Sequence, residues 1–201
     1  MVKRIINVLI FTFIFALYVI SFLMIFESFK KRKLEFLEAS AIDTFEKTVK
    51  IEKVKVKDIE DDKTSNMGLD YNGYTLLGKI EIPRIGFSSV VIKENTYHAM
   101  DLGVIISYGE ALNEPGGFII SGHNYRGGSS FMYGIRNLES GDKIYITDSS
   151  GRQLEYTVYE KIRNYGPTDT SIYKKYDGYH LTLVTCESGG QSRIIVKAVA
   201  N

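Results

Sequence analysis

From Ile5 to Phe26 the chain reads IINVLIFTFIFALYVISFLMIF, twenty-two residues without a charge. As a helix rising about 1.5 Å per residue this segment spans about 33 Å, enough for a bilayer core of about 30 Å. Only Asn7, Thr12 and Ser21 interrupt it, and none of them carries charge. A cleaved signal peptide would show a shorter apolar stretch followed by small residues at a cleavage site. Here the run passes into Glu27 and then KKRK at 30–33. The segment therefore reads as a retained anchor, with residues 1–29 as a cytoplasmic stub and transmembrane helix. Lys3 and Arg4 precede the run, while Lys30, Lys31, Arg32 and Lys33 follow it. That count favours a cytoplasmic C-terminal side, although large folded domains are translocated largely regardless of their charges. The basic cluster also suits contact with anionic lipid headgroups.

Beyond the anchor, residues 30–73 read as a basic juxtamembrane segment, an amphipathic helix and a charged linker. In LEFLEASAIDTFEKTV the apolar positions 34, 37, 41, 42, 45 and 49 recur at helical spacing. KVKVKDIEDDKTSNMG loses that spacing and reads as a solvated spacer. From Tyr74 the pattern changes to short β-branched and aromatic runs separated by Gly, Pro, Asn and Asp. Expected strands are 77–82, 88–92, 103–106, 117–121, 143–147, 153–162, 180–185 and 193–199, with helical turns near 97–102 and 131–138. Eight strands at this spacing suggest an antiparallel barrel or sandwich. Fourteen Tyr and eleven Phe suit strands. The 25 basic and 24 acidic residues nearly cancel, so no basic face marks a nucleic-acid partner.

One cysteine, Cys186, excludes an internal disulfide. In HLTLVTC, Leu181 and Leu183 share one strand face, while His180, Thr182, Val184 and Cys186 share the other. In RIIVKAVA, Ile194, Val196, Ala198 and Ala200 form an apolar face and Arg193 points the opposite way. If both apolar faces are core and ESGGQS is a tight turn, thiol and guanidinium lie together at one sheet end. A thiol, with an ordinary pKa of about 8.5, needs a neighbouring base or cation to act at neutral pH. His180 lies six residues up the same strand, roughly 20 Å away. His98 sits in NTYHAMD, a surface turn. His123, in GGFIISGHNYRGGSSF, ends a strand on a glycine-flanked backbone that can present its ring. Ser129 and Ser130 lie in the glycine-rich stretch that follows, without the strand-to-helix context of a phosphate loop.

TLVTC at 182–186 with Arg193 downstream, and SGH at 121–123, resemble the signature blocks of the sortases, membrane-anchored cysteine transpeptidases of mainly Gram-positive bacteria. The separations are 63 positions from His123 to Cys186 and seven from Cys186 to Arg193. LGKIEIPRIGFSSVV at 77–91 and EPGGFIISGHN also resemble family segments. The resemblance covers about residues 74–200. It implies a mostly β fold, an eight-stranded sortase-type β-barrel over 74–201 with short helices, preceded by the transmembrane helix. It further implies Cys186 as nucleophile, His123 as general acid and base, and Arg193 as hydrogen-bond donor to substrate or oxyanion.

The implied reaction is cleavage of an LPxTG-like C-terminal sorting signal through a thioacyl-enzyme, followed by transfer to an amine of cell-wall precursor or pilin. The implied partners are surface proteins bearing that signal, the amine acceptor and membrane lipid, with the catalytic domain extracytoplasmic. No cofactor is expected. Residues 164–179 would form the loop lining the substrate groove, with Thr185, Tyr165, Tyr173 and Tyr179 as substrate-binding candidates. Asp169 and Asp177 resemble calcium-binding carboxylates of some sortases, but two acids eight apart are too few for a calcium site and no metal is expected. Glu187 reads as solvated. The short His-to-Cys spacing pulls towards a class A-, D- or E-like form, and the N-terminal helical segment is compatible with class B. Two other readings are a cysteine protease that hydrolyses the same intermediate and a non-catalytic membrane-tethered binding domain with a structural thiol.

Overall fold

Alternating and continuous apolar runs become strands here because each can bury one face against its neighbours. The computed structural model describes residues 2–59, 67–124 and 131–200. It comprises two units, one up to Leu37 and one from Glu38 onward. Among the described residues there are two α-helices, α1 (Val2–Thr48) and α2 (Tyr97–Leu102), besides short 3-10 turns. The strands are β1 (Glu52–Lys53), β2 (Leu69–Tyr71), β3 (Tyr74–Ile82), β4 (Phe87–Ile92), β5 (Val104–Tyr108), β6 (Phe118–Gly122), β7 (Lys143–Asp148), β8 (Arg152–Tyr165), β9 (Tyr179–Glu187) and β10 (Ser192–Ala200).

Eight of these close into a barrel in the order β8-β10-β9-β6-β5-β4-β3-β7, with β7 returning to β8. The β6–β9 and β4–β5 pairs are parallel, and the other barrel pairs are antiparallel. Closure needs β3 and β7 to approach tightly. A Cβ at Gly78 would collide with the Thr147 carbonyl and the Leu112 side chain, so only glycine fits there. The interior holds Leu181, Leu183, Ile194, Val196, Ala198 and Ala200, the faces expected from strand parity, together with Ile80, Ile120 and Tyr156. The opposite face of β9 and β10 is not simply solvated. Val184 and Ile195 join Ile119 of β6 in a second, smaller apolar cluster, covered by Ile172 from the loop between β8 and β9.

Two expectations for the N-terminal part change. The anchor and the amphipathic segment form one helix, α1, long and apolar enough to cross a membrane. Its last turns belong to the barrel unit, which begins upstream of residue 74. There Ala41, Phe45 and Val49 are buried at helical spacing, and Glu38 is buried with them. Lys79 of β3, almost fully buried, is paired by Glu46 of α1 and, at 3.1 Å, by Glu81. Burial pulls its pKa down, but the hydrogen bonds and attraction of the two carboxylates outweigh it and hold the ammonium above its ordinary value. The second correction concerns the spacer. Val54, Val56 and Ile59 pack against the core, and β1 pairs parallel to β8. Only Glu52–Lys53 pairs as a strand and Val56–Asp58 forms a 3-10 turn, but along Lys53–Lys57 the valines turn inward and the lysines outward, an alternation hidden by the segment's charge. Residues 60–66 of that expected spacer, and the Gly127-Gly128 and Ser129-Ser130 stretch after His123, lie outside the described residues.

Candidate active site

The end of β9 is built by a reversal that only glycine permits without strain. After Glu187 the chain turns through Gly189 and Gly190, both left-handed at φ 68° and 95°, into β10. This sets Cys186 directly opposite Arg193 and Glu187 opposite Ser192. On the other flank β6 runs parallel to β9, and its last pair is Gly122 with Thr185. His123 therefore leaves β6 beside the position of Cys186. Three elements thus converge at one barrel end, and Cys186 there is partly exposed and unbridged.

Two side-chain bonds reinforce this ladder, one at its last backbone pair and one just past it. Thr185 donates its hydroxyl to the Gly122 carbonyl at 3.0 Å. Asn124 donates its amide to the Cys186 carbonyl, and Arg136 donates through Nη2 to Asn124 Oδ1 at 3.4 Å. Arg136 belongs to the 3-10 turn Phe131–Asn137, where it also bonds the Tyr133 carbonyl and lies over the Tyr133 ring. The residues before and after His123 are thus both tied to β9.

The imidazole of His123 is only 16% exposed, and its Nε2 lies 3.7 Å from Asp101 Oδ1. Its ring tilts against that of Tyr97, with centroids 4.6 Å apart. Tyr97 and Asp101 come from the same face of α2, four residues apart, and the helix is capped by Thr96 accepting from the Ala99 N–H. Arg193 donates through Nη1 to the carbonyls of Gly190 and Ser192, at 3.0 and 3.1 Å. These bonds fasten one corner of its guanidinium to the turn.

Not every expected site residue joins this group. Tyr165 does: it lies opposite Arg193 on β8, packs against the Val184–Ile195 cluster and shares a 2.9 Å hydroxyl bond with Ser171. Tyr173 is largely exposed, its ring edge-on to Tyr108 at 5.9 Å. Tyr179 stands apart. It pairs with Ala200 at the far end of β9 and packs against the barrel interior, seven residues from Cys186. Thr185 also faces inward, buried, as a strap between strands rather than part of an open surface. His180 is stacked on Tyr176 with ring centroids 4.7 Å apart, and His98 is exposed.

Glu187 is the clear correction. Its side chain is only 5% exposed and is held by the Arg163 guanidinium and the Asn164 N–H. Strand parity turns it inward, where an unpaired carboxylate would be costly, and β8, on the far side of β10, supplies the partners. In the loop, Asp169 Oδ1 accepts from the Ser171 N–H at 2.8 Å, a turn contact that lowers its pKa. Among the described residues no three His, Cys, Asp or Glu side chains gather as a metal site.

Sequence reasoning missed Asp101, Asn124 and Arg136. Asn124 had a signal in its adjacency to His123. Asp101 and Arg136 had none, since only the folding of α2 and the 3-10 turn brings them near. A thiol, an imidazole and a guanidinium at one strand end, bordered by an apolar strip, is a set of groups that suits acyl transfer through sulfur.

Comparison with known proteins points the same way. A family model described as the Sortase domain matches residues 80–201. Sortase A of Listeria monocytogenes is 26% identical over 118 residues, which cover 59% of this chain and 52% of that protein. The chain thus spans about half the length of this curated relative. Among solved structures, a Clostridium perfringens Sortase D5 transpeptidase aligns with a TM-score of 0.64 at 24% identity, over 82% of this chain and 98% of that one. Sortase A from Corynebacterium diphtheriae aligns at 0.58 and 22% identity, over 84% of each chain. At these identities the structural likenesses speak for the fold.

Proposed function

Because the chain belongs to the sortase family, we propose that it is a membrane-anchored cysteine transpeptidase acting on an LPxTG-like C-terminal sorting signal. The observation that carries this reading is the register: Cys186 faces Arg193 across β9 and β10, and Gly122, just before His123, pairs with Thr185, just before Cys186. In the proposed reaction the Cys186 sulfur attacks the carbonyl of a threonyl–glycine-type bond. The Arg193 guanidinium stabilises the resulting oxyanion with its fixed fork of donors. As the carbon–nitrogen bond breaks, His123 gives its proton to the departing amine, leaving a thioacyl-enzyme. An amine of cell-wall precursor or pilin then attacks, His123 takes up its proton, and the thiolate departs. Ile119, Val184, Ile195 and Ile172 are buried against one another, so this cluster supports the face beside Tyr165 from beneath rather than offering the peptide an open apolar surface.

Both substrates lie outside the cytoplasm, so the barrel is proposed to be extracytoplasmic on a single-pass anchor, against the simple charge count. Cys186 is the only thiol in the chain, so a membrane-impermeant maleimide tests placement directly. Labelling in intact cells supports it, and labelling only after lysis overturns it. For activity, the full chain in detergent is incubated with a fluorogenic LPxTG-type peptide panel, with and without an amine acceptor. An acyl adduct on Cys186 by intact mass, and ligated product with acceptor, are expected. Hydrolysis unaffected by acceptor would make the protein a protease. Absence of any adduct across the panel would remove the enzyme reading.

A further inference from the structure

The pairing of β8 with β10 is interrupted beside the site. Arg193 pairs with Tyr165 and Ile195 with Ile162, so two residues, Arg163 and Asn164, face Ile194 alone. This is a bulge, and it has a consequence for the side chain that follows. Side chains alternate between faces, and Ile162 packs in the outer cluster. In an unbroken ladder residue 164 would share that face and Tyr165 would point into the barrel. The extra residue turns Tyr165 outward instead, onto the face of Arg193 and the apolar strip. From Tyr165 the chain enters the loop that carries Ile172 over that strip, and the Tyr165–Ser171 hydroxyl bond ties the loop's start to its roof.

A bulge leaves a backbone N–H without a ladder partner, and Asn164 adopts the left-handed region at φ 55°, which asparagine tolerates better than other side-chain-bearing residues, so what needs fixing is the unpaired N–H. The fixing group is Glu187. Its Oε2 accepts from the Asn164 N–H at 3.1 Å, and its Oε1 takes Arg163 Nε at 2.8 Å and Nη2 as well. Burial pushes this carboxyl's pKa up, but Arg163, the Asn164 N–H and the more distant Arg136 outweigh it and hold it below the usual carboxylate range.

We infer that Glu187 is a positioning residue for substrate binding: its carboxylate fixes the β8 bulge that turns Tyr165 and the roof loop onto the sorting-signal groove. This rests on the transpeptidase reading and goes beyond it by assigning groove shape to a residue adjacent to the nucleophile that touches no substrate itself.

The test uses the full chain in detergent with the best peptide of the panel. Wild-type turnover with an adduct on Cys186 secures the underlying reading first; without it, this inference falls with that reading. In E187Q the acceptor for Asn164 is kept but the charge opposite Arg163 is lost. The expected result is a peptide KM raised about 5- to 20-fold with kcat within about threefold, and an unchanged rate of Cys186 alkylation by iodoacetamide. E187D recovers part of the KM. R163M alters the exposed partner, so it keeps the fold should E187Q lose it, and it raises KM by a smaller factor. A wild-type KM in both variants overturns the inference. So does a fall in kcat matched by slower alkylation, which would make Glu187 a tuner of the thiol. A lowered melting temperature with wild-type KM for the folded fraction would reduce it to a structural ion pair.

Discussion

Two arginines in one barrel show how differently a partly buried guanidinium can be employed. Arg152, at the β7–β8 turn, is consumed by its neighbours. Its Nε donates to Asp148 at 3.0 Å and its Nη2 to Glu114 at 2.7 Å. Asp148, fully buried, also accepts from Ser150 and from the Arg152 N–H. Asn113 beside it bonds two carbonyls and receives the Tyr156 hydroxyl. The charge of Arg152 is thus answered by two carboxylates within the protein. Arg193, at the opposite kind of site, is held only through Nη1 by two turn carbonyls among the described residues. A guanidinium paired to two carboxylates has its charge neutralised inside the fold, whereas one held only by turn carbonyls keeps its charge and remaining donors for a ligand.

The sharpest way to break that contrast is to remove the chemistry at one end and compare stability at the other. Cys186→Ala is expected to abolish the acyl adduct and turnover, and Arg193→Ala to lower kcat about 100- to 1000-fold. Melting temperatures should stay near wild type in both. Arg193→Lys should not restore activity, because a point charge lacks the planar fork. If Arg193→Ala unfolds the barrel while the folded fraction turns over normally, the contrast fails.

Arg152→Ala should behave in the reverse way. Removing one partner of a buried pair leaves Asp148 uncompensated and costs about 3–5 kcal/mol, read as a shift in urea midpoint, with kcat of the folded protein little changed. A midpoint shift below about 1 kcal/mol would show that Arg152 is not structural.

Asn124→Ala, which cuts the strap from the residue after His123 to the Cys186 carbonyl, is expected to reduce kcat about 2- to 12-fold, the equivalent of one hydrogen bond of about 0.5–1.5 kcal/mol. An unchanged kcat would show that the remaining Thr185 strap suffices.

The smallest effect concerns Lys79. Its folded pKa is raised, so its contribution is fully present below the unfolded value of about 10.4 and is lost as pH rises through the higher folded value. Urea midpoints measured from pH 9 to 11.5 should fall across that window in wild type and stay flatter in Lys79→Met. Equal slopes would remove the Lys79–Glu46–Glu81 cluster from the account.

Much of this architecture was legible in the order of residues. The uncharged run at 5–26 demands a long helix whatever surrounds it. The alternation in β9 and β10 assigns Leu181, Leu183, Ile194 and Val196 inward and Cys186 and Arg193 outward, and the glycine turn makes those two neighbours. These are local facts, set by periods of 3.6 and two and by the few residues that tolerate left-handed backbone. Where the reading went astray, a second pattern competed. The charge of KVKVK masked an alternation of valines inward and lysines outward, and the charge of Glu187 suggested water where parity turned it inward.

What the sequence determined by itself is the long apolar helix, the eight barrel strands and the placing of sulfur and guanidinium across one turn. Only the tertiary structure decided that the parallel pairing of β6 with β9 brings His123 alongside them. It alone decided that Asp101 sits against that imidazole, that the Asn124 amide reaches the Cys186 carbonyl, and that a single bulged residue turns Tyr165 outward. The reason is range: a period is written into neighbouring residues, whereas register between strands some sixty positions apart is fixed only when the barrel closes.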